Sequence, residues 1–349
     1  MIQVVHVVGL MNMGGTETML MNLYRKIDRM KYQFIFVTFS SDKGVYDDEI
    51  VRLGGIIFHI RSPYYFFDFL KLKKCYPNAR IAHLHTYFNC GICALWFRIL
   101  GLDKIISHSH TTLPKSKARI NSYYESISRW LINKLSTQKI ACSKLAAVSL
   151  FGFGQDYIYL PNFVDPALFI KGTQNNKSHI IQVGHVGRFS PEKNHAFILE
   201  LAKFAKLNKH PICFNLVGAG PLLKSTQQEV VRYNLQDFVK FIEPSNQIHQ
   251  LMNQFDCFVL PSTIEGFGLV LLEAQASSLP CFVSHSIQSE AILDLNLVKS
   301  LDYNVEDWIT NILSSKKNKL ESSDIINSFK RAGLDYDSII RKLEFIYEQ

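Results

Sequence analysis

The sequence predicts an α/β protein with two parallel, doubly wound sheets, and three observations support this prediction. The chain has 349 residues, a length typical of two domains of about 150–200 residues each. Short apolar runs typical of buried strands alternate with helical patterns along most of the chain. A polar stretch, KGTQNNKSH, interrupts this alternation, which then starts again. We therefore expect an N-terminal domain over 1–170, a linker over 171–179 and a C-terminal domain over 180–334.

Apolar runs locate the strands, and periodic apolar positions locate the helices. Met19, Leu20 and Leu23 share one face of the first predicted helix, which Thr16 is placed to cap. The last helix, within 335–349, is expected to pack back on the N-terminal domain. Strands are predicted over 4–8, 32–39, 56–60, 81–84, 104–107, 180–186, 212–217, 239–242 and 257–260, and further helices over 89–100, 196–207, 222–233 and 338–347.

Composition narrows the class of protein. Apolar residues make up 47% of the chain and charged residues 19%, as expected of a globular protein with a large core. No apolar run reaches the roughly 18 residues of a membrane-spanning helix, and the first residues lack the pattern of a signal peptide. Seven scattered cysteines are typical of reduced thiols in the cytoplasm. The net charge of +8 favours anionic partners such as phosphorylated substrates, anionic lipid or nucleic acid.

The stretch 257–280, CFVLPSTIEGFGLVLLEAQASSLP, predicts a strand, a glycine loop and a helix. Gly266 and Gly268 leave backbone N–H groups open at the start of that helix, which favours binding of an anion. Glu265 and Glu273 flank these amides, so each is placed to accept hydrogen bonds from sugar hydroxyls. The alternative interpretation is an ordinary turn with two surface glutamates.

Two further loops follow predicted strands of the C-terminal domain. GRFSPEKN places Arg188 and Lys193 at the carboxyl end of a strand, where ligands of parallel sheets bind. Two cations there would hold a diphosphate and stabilise its charge as a leaving group, whereas the alternative is solvated surface charge. Gly218 and Gly220, in GAGP, allow close backbone approach, although a plain tight turn explains them equally well.

The first glycine loop, GLMNMGG, fits neither of the two best-known nucleotide-binding motifs. Met11 stands where a dinucleotide fingerprint needs glycine, and Gly15 stands where a P-loop needs lysine. Close approach of a ligand to the backbone of Gly14 and Gly15 remains the prediction for this loop.

Two H-x-H pairs each close an apolar strand. The pairs are His83 with His85 and His108 with His110, and histidine binds hydroxyls or carries protons near neutral pH. No nearby cysteine or carboxylate completes a metal site, so no metal is predicted. Cys90-x-x-Cys93 lies in an apolar helical stretch and is interpreted as core packing.

Two amphipathic stretches combine aromatic residues with cations. Residues 64–74 read YYFFDFLKLKK, and residues 115–136 have apolar positions at Tyr124, Ile127 and Leu131 among lysines and arginines. We interpret both as helices packed on the sheet, with attachment to an anionic membrane surface as the alternative.

Taken together, these motifs resemble the retaining glycosyltransferases of family 4, which have the GT-B fold of two Rossmann-like domains facing across a cleft. The resemblance covers nearly the whole chain, and the E-x7-E motif downstream of GRxxxEKN is its most specific part. The ending GLDYDSIIRKLEFIY is similar to the bacterial capsular and exopolysaccharide subgroup. The motifs are GGTET, HSHT, CSKLAA, LPNFVD, GRFSPEKN, GAGP and EGFGLVLLE.

The resemblance implies a nucleotide-sugar donor, with a UDP-sugar favoured, bound by the C-terminal domain without a metal or another cofactor. It implies that Arg188 and Lys193 hold the diphosphate, that Glu273 accepts from the ribose and that Glu265 holds the transferred sugar. His110 matches the family histidine near the sugar, and His108 is the competing assignment. The implied catalytic residues are Glu265, His110, Arg188 and Lys193. The implied substrate-binding residues are Gly14, Gly15, His108, Gly187, Gly218, Gly220, Gly266, Phe267, Gly268, Leu269 and Glu273.

The implied acceptor is a polyprenyl-diphosphate-linked sugar or a glycan, with peripheral contact to the inner face of the cell membrane and no nucleic-acid partner. LPNFVD departs from the family pattern, because Phe163 stands where glycine is usual. Two alternatives remain from the residues alone. One is a retaining glycosidase with Glu265 and Glu273 as its pair, which requires carboxyls about 5 Å apart. The other is a basic module that binds a membrane or nucleic acid.

Overall fold

A computed structural model describes residues 1–12, 14–110, 122–170, 179–245, 247–315 and 320–349. The chain divides into two compact units, the first comprising Met1–Asn162 with Tyr336–Gln349 and the second comprising Phe163–Asp335. The division falls between Asn162 and Phe163, eight residues before the boundary placed at 170 from the sequence. Most of the expected linker, 171–178, lies outside the described residues.

The first unit contains a seven-stranded parallel sheet in the order β3-β2-β1-β4-β5-β6-β7. Strand order reverses between β1 and β4, and ligands of such sheets bind outside the carboxyl ends of the strands at this switch point. The strands are β1 (Ile2–Val7), β2 (Tyr32–Thr38), β3 (Ile56–His59), β4 (Ile81–Leu84), β5 (Lys104–Ser109), β6 (Gln138–Ala141) and β7 (Ile158–Tyr159).

The second unit contains a six-stranded parallel sheet in the order β10-β9-β8-β11-β12-β13. Its order reverses between β8 and β11, which is therefore the switch point of this sheet. The strands are β8 (Ile181–Val186), β9 (Ile212–Val217), β10 (Val239–Ile242), β11 (Cys257–Leu260), β12 (Cys281–Ser284) and β13 (Val298–Leu301). The two parallel sheets confirm the predicted fold class.

Helices connect the strands in both units. Among the described residues, no helix has the length and apolar character needed to cross a membrane. The helices are α1 (Gly15–Lys26), α2 (Asp47–Arg52), α3 (Phe66–Cys75), α4 (Asn89–Ile99), α5 (Ser122–Leu135), α6 (Lys144–Phe151), α7 (Ala167–Ile170), α8 (His195–Leu207), α9 (Leu223–Arg232), α10 (Ile248–Met252), α11 (Leu269–Ala276), α12 (Val305–Ser314), α13 (Ser322–Arg331) and α14 (Tyr336–Glu348).

Two local predictions were wrong. Helix α1 begins at Gly15 with Gly14 as its N-cap, so Thr16 lies inside the first turn and does not cap the helix. The backbone of Gly14 is extended and leads directly into the helix, so the capping position lies two residues before Thr16. Ile127 is 58% exposed although the amphipathic pattern assigned it to the packed face of α5.

Apolar side chains bury the faces of both sheets. Cys90 and Cys93 are fully buried in α4, which confirms their interpretation as core residues. In the second unit, Phe189, Phe214 and Trp308 belong to one buried cluster around the sheet. Phe189 lies in the loop directly after β8, so core packing holds this loop in place.

Candidate functional site

The loops after β8 and β11 lie side by side at the switch point of the second sheet, because these two strands are hydrogen-bonded neighbours. One loop carries the GRFSPEKN motif and the other carries the first glutamate of the E-x7-E motif. The backbone N–H of Thr263 donates to the carbonyl of Glu192 at 2.8 Å, and Asn194 Nδ2 donates to the carbonyl of Pro261 at 3.2 Å. These cross-loop bonds join two motifs that lie about 70 residues apart in the sequence.

An ion pair between Lys193 and Glu265 forms the charged centre of this site. Ser262 Oγ donates a second hydrogen bond to Glu265 Oε1 at 2.8 Å. The side chains of Lys193 and Glu265 are only 19% and 8% exposed, so water screens their attraction less than at an open surface. The two charges predicted separately, one for a diphosphate and one for a sugar, therefore contact each other directly in this structure.

A single turn of 3-10 helix, Pro191–Lys193, directs Lys193 towards Glu265. Proline at the first position suits the fixed φ of such a turn, and Asn194 ends it in the left-handed region with φ 54°. Arg188 lies before this turn and is exposed, and the described part of the chain offers it no ion-pair partner. The structure thus separates the two predicted cations into one that is paired and one that faces solvent.

The start of α11 carries the predicted anion-binding amides. Gly268 is the N-cap with φ 88° and ψ 51°, a left-handed conformation that favours glycine, and Phe267 beside it is buried. Gly266 and Leu269 flank these two residues, so four consecutive amide groups lead into the helix. A glycine N-cap places no side chain over these amides, as an incoming phosphate requires.

Glu273 lies one turn into α11 and is partly buried. Desolvation by the surrounding protein raises the pKa of its carboxyl to about 8. Because the pKa is higher in the folded chain than in the unfolded chain, Glu273 lowers stability as pH rises from about 4.5 towards 8. A ligand whose hydroxyls donate to this carboxylate would offset that cost.

Backbone contacts explain the glycines of GAGP better than a plain turn does. Gly218 has φ 150°, and a Cβ there would lie 2.0 Å from the carbonyl oxygen of Gly187. A Cβ at Gly220 would lie 2.5 Å from the carbonyl oxygen of Phe189. The N–H of Phe189 also donates to the carbonyl of Ala219 at 2.9 Å. The loop after β9 therefore supports the loop that carries Arg188 and Lys193.

In the first unit, the glycine loop lies after β1, at the switch point of the first sheet. The carboxyl of Glu17 folds over Gly14, and a Cβ added to Gly14 would lie 2.2 Å from Glu17 Oε2. Burial raises the pKa of Glu17. Gly15, the first residue of α1, has open space around its Cα.

Five histidines cluster at the ends of β1, β4 and β5 in the first unit. Four of them belong to the two H-x-H pairs found in the sequence, namely His83, His85, His108 and His110. The fifth is His6. Two trios within this cluster have ring nitrogens within 4.8 Å of one another, so neither pair stands alone as the sequence suggested. His6 was overlooked because it is a single histidine, although β1, β4 and β5 all end in a histidine-containing segment.

Burial lowers the pKa of every histidine in the cluster. The pKa of His6 falls to about 3 and that of His110 to about 4, because their surroundings disfavour the charged ring. The pKa values of His83, His85 and His108 also lie well below the usual range, first through burial and then through neighbouring rings. All five rings are therefore neutral at physiological pH.

The two Rossmann-like sheets, with a glycine loop at the switch point of the first and a charged loop at that of the second, are those of the GT-B fold. The family described as "Glycosyltransferase Family 4" matches residues 13–168, and "Glycosyl transferases group 1" matches residues 169–326. The chain belongs to the family 4 glycosyltransferases, which confirms the resemblance drawn from the motifs.

Individual proteins agree with this assignment. EpsF of Bacillus subtilis (strain 168), named as a glycosyltransferase, is 39% identical over 86% of this chain and 83% of its own length. The capsular polysaccharide biosynthesis glycosyltransferase CapH of Staphylococcus aureus is 25% identical over 78% of this chain and 79% of its own. The crystal structure of Anabaena Alr3699/HepE in complex with UDP and glucose covers 100% of both chains with a TM-score of 0.80. At 16% identity, this last likeness concerns the fold alone.

Proposed function

We propose that this protein is a retaining, metal-independent glycosyltransferase that uses a nucleotide-diphosphate sugar, preferably a UDP-sugar, in the synthesis of a surface polysaccharide. The observation that carries this proposal is the Lys193–Glu265 ion pair at the switch point of the second sheet, beside the glycine-capped start of α11. The name of CapH and the UDP and glucose bound by HepE support the class of product and of donor. Family membership favours transfer over the glycosidase and nucleic-acid alternatives.

Donor binding requires Lys193 to exchange partners. In the free protein Lys193 forms an ion pair with Glu265. The diphosphate would bind Lys193 in place of Glu265, and it would also bind Arg188 and the amides of 266–269. Glu265 is then released to accept hydrogen bonds from the hydroxyls of the sugar. The same pair of side chains thus serves the two halves of the donor, one after the other.

Transfer breaks the bond between the anomeric carbon and the diphosphate oxygen and forms a bond to the acceptor oxygen on the same face of the sugar. The acceptor hydroxyl loses its proton to the departing diphosphate, so charge and atoms balance without an enzymic nucleophile. Lys193 and Arg188 stabilise the negative charge that develops on the diphosphate, an effect worth about 3–4 kcal/mol for a well-placed group. Gly187, Gly218 and Gly220 hold the backbone that positions both cations.

The proposal also gives residues of the first unit the roles that the family resemblance implies. The backbone at Gly14 and Gly15 approaches the diphosphate of the donor, although the N–H of Gly14 donates to the carbonyl of Asn12 at 2.9 Å in the free protein. His110 binds a hydroxyl of the transferred sugar, with His108 as the competing residue. His108 is buried, whereas His110 is partly exposed, and this difference favours His110.

UDP is expected to stabilise the protein against heat, and the effect is expected to depend on Glu273. At a concentration of about 100 Kd, UDP should add about 2.7 kcal/mol to the free energy of unfolding. Ribose hydroxyls that donate to Glu273 lower its pKa from about 8, so UDP affinity should increase with pH below 8, by up to about tenfold per unit. Calorimetric titration from about pH 6 to pH 8.5 measures this dependence.

Glu273→Gln is the matched control, since glutamine keeps the shape of the side chain and cannot ionise. This variant should bind UDP more weakly and should show only the pH dependence of UDP itself. GDP and ADP, tested beside UDP, identify the preferred base. Equal titration curves for the wild type and Glu273→Gln would contradict the assigned role of Glu273, and no stabilisation by any nucleotide would contradict the proposed function.

We also propose that an aromatic surface on the first unit contacts an anionic membrane, as a lipid-linked acceptor requires. Tyr64, just before α3, and Tyr124, in the first turn of α5, both donate to Asn89 Oδ1, so the two tyrosines meet at the start of α4. Six apolar side chains in this region are between 39% and 83% exposed, and lysines follow on α3. The aromatic surface consists of Tyr64, Tyr65, Phe67, Tyr123, Ile127 and Trp130.

Trp130→Glu is expected to lower sedimentation with phosphatidylglycerol vesicles by at least about tenfold, because it removes a large apolar side chain and adds a negative charge. Leu207→Glu, at an 81% exposed position of the second unit, is the matched control and should bind like the wild type. Equal losses in both variants, or no sedimentation of the wild type, would exclude this surface as the membrane contact.

A further inference from the structure

A continuous line of hydrogen bonds begins at Asn162 in the first unit. Asn162 Oδ1 lies 3.4 Å from His110 Nδ1, and His110 Nε2 lies 2.8 Å from His85 Nδ1. His85 Nε2 in turn lies 3.0 Å from His6 Nδ1. Every ring nitrogen of His110 and His85 is therefore within hydrogen-bond distance of the next group in the line.

Tyr347, near the end of α14, continues the line. Its hydroxyl lies 3.4 Å from His6 Nε2 and 2.8 Å from His83 Nδ1. His83 Nε2 lies 3.1 Å from His108 Nδ1, where the line ends. The rings of His83 and His108 are stacked, with an interplanar angle of 8°, and Tyr347 is buried. One hydroxyl thus joins a group of three histidines to a group of two.

The numbers of donors and acceptors on each group determine which way the hydrogen bonds of this line point. A neutral imidazole has one N–H donor and one acceptor nitrogen, and a phenol has one donor. The amide oxygen of Asn162 can only accept, so the proton of His110 must be on Nδ1. His110 Nε2 then accepts from His85 Nδ1. Each further group in the line likewise accepts from the next one, as far as His108. Every histidine in the line consequently carries its proton on Nδ1.

We propose that this histidine relay (His6, His83, His85, His108, His110 and Tyr347) fixes His110 in the Nδ1–H tautomer and so makes it a hydrogen-bond donor towards a substrate hydroxyl or carbonyl oxygen. The inference rests on the role of His110 given under the proposed function and deepens it. Tyr347 is then a positioning residue, because it acts on His110 only through His6 and His85.

The bond to Asn162 is the place where a ligand would enter. At 3.4 Å it is as long as any link of the relay, and His110 is partly exposed, whereas His6 and His83 are buried. An oxygen of the ligand that replaces Asn162 as acceptor leaves every other bond unchanged. His110 would therefore bind its ligand as a donor and would not act as a general base.

A metal ion is the competing occupant of this cluster, since two trios of histidine nitrogens lie close together. The nearest nitrogen pairs, between 2.8 and 3.1 Å apart, belong to bonds of the relay, in which one nitrogen carries a proton. A metal needs three or four lone pairs that converge on one point, and coordination would break several of these bonds. Binding of a metal is accordingly an outcome of the test that would overturn the relay.

The tautomers are measurable by nitrogen NMR on the full chain labelled with 15N-histidine at pH 7. We expect His6, His83, His85, His108 and His110 to show the ring correlations of neutral imidazole with the proton on Nδ1, and we expect no change on addition of Zn²⁺. A proton on Nε2 of His110, a charged ring, or uptake of one Zn²⁺ per chain with loss of these signals would overturn the proposal.

Tyr347→Phe tests whether the relay transmits its direction. The variant keeps the buried ring but leaves His6 Nε2 without its donor. The direction of the line then depends on the long 3.4 Å bond to Asn162, so we expect His110, two links away from His6, to become a mixture of tautomers. The rate of transfer should fall roughly tenfold, which is no more than the smallest rate effect typical of a positioned proton donor. UDP affinity should be unchanged, because UDP lacks the sugar that His110 is proposed to bind.

Tyr24→Phe is the matched control, because Tyr24 is a buried tyrosine of the same unit whose hydroxyl donates to the carbonyl of Leu53. It should leave the His110 signals and the transfer rate as in the wild type. A Tyr347→Phe protein that retains pure Nδ1–H signals at His110 and full transfer would overturn the proposal. If the wild type shows no transfer, the proposed function fails, whereas the NMR signals still test the relay.

Discussion

Replacing Lys193 with methionine is expected to lower glycosyl transfer by about 10²–10³-fold, since the variant loses a positive charge that stabilises the departing diphosphate. Methionine keeps the length and apolar contacts of the side chain. The loss should therefore come from charge and should persist at saturating donor, because the charge on the diphosphate is largest in the transition state. Steady-state kinetics with a UDP-sugar measure the effect, and Lys330→Met, at an exposed position of α13, is the matched control.

Lys193→Met also leaves Glu265 without its cation in a largely buried position. Ser262 still donates to Glu265 Oε1, but a hydroxyl does not replace the charge. Removing one partner of a buried ion pair typically costs about 3–5 kcal/mol, and the partial exposure of Lys193 places this case at or below about 3 kcal/mol. Urea denaturation of the free protein measures this loss of stability.

The double variant Lys193→Met/Glu265→Gln separates the two effects. Glutamine accepts the hydrogen bond from Ser262 without a charge, so the double variant should regain most of the lost stability. Transfer should remain as low as in the single variant, because neither residue can act on the donor. Recovery of transfer in the double variant would show that Lys193 only neutralises Glu265 and has no role towards the diphosphate.

Gly218→Ala is expected to destabilise the second unit by about 3–4 kcal/mol and to abolish nucleotide binding. A Cβ at this position would lie 2.0 Å from the carbonyl oxygen of Gly187, which is backbone and has no rotamer with which to avoid it. The φ of 150° adds strain for any residue with a side chain. Relief of the clash requires the loop before Arg188 to move, so binding should be lost even where the fold survives.

Gly333→Ala is the matched control for backbone strain. Gly333 also has positive φ, at 65°, but a Cβ there would have no heavy atom within 4 Å. That variant should lose about 1–2 kcal/mol from its conformation alone and should bind UDP normally. Urea denaturation and UDP titration of both variants give the comparison. Equal stability losses, or normal UDP binding by Gly218→Ala, would show that the two loops are not coupled.

Strong local patterns were enough to locate many elements. The strands at 81–84, 212–217, 239–242 and 257–260 were predicted to the residue, because each is a short, mainly apolar run with a clear stop. Short strands such as β7 and β13 were missed, since β7 has two residues and β13 only two apolar ones, too few to distinguish a strand from a loop. Their assignment depends on pairing with a neighbouring strand.

The candidate site, like the fold, was predicted from the sequence only in part. The motifs identified Lys193, Glu265 and Glu273 as functional residues, but their spacing along the chain did not predict that Lys193 and Glu265 pair with each other. His6 and Tyr347 carried no sequence signal that could link them, because they lie 341 residues apart. A comparison of strand ends would have suggested His6, whereas nothing local would have suggested Tyr347.

The amino-acid sequence by itself determined the α/β class, the order of strands and helices, and the family to which the chain belongs. These properties depend on local periodicity, turn residues and short motifs, which act over a few residues. Only the tertiary structure decided which charges meet, which glycines have no room for a side chain, and which histidines share protons. Those properties arise because sheet pairing brings distant strand ends together at the switch points, where burial strengthens every contact between them.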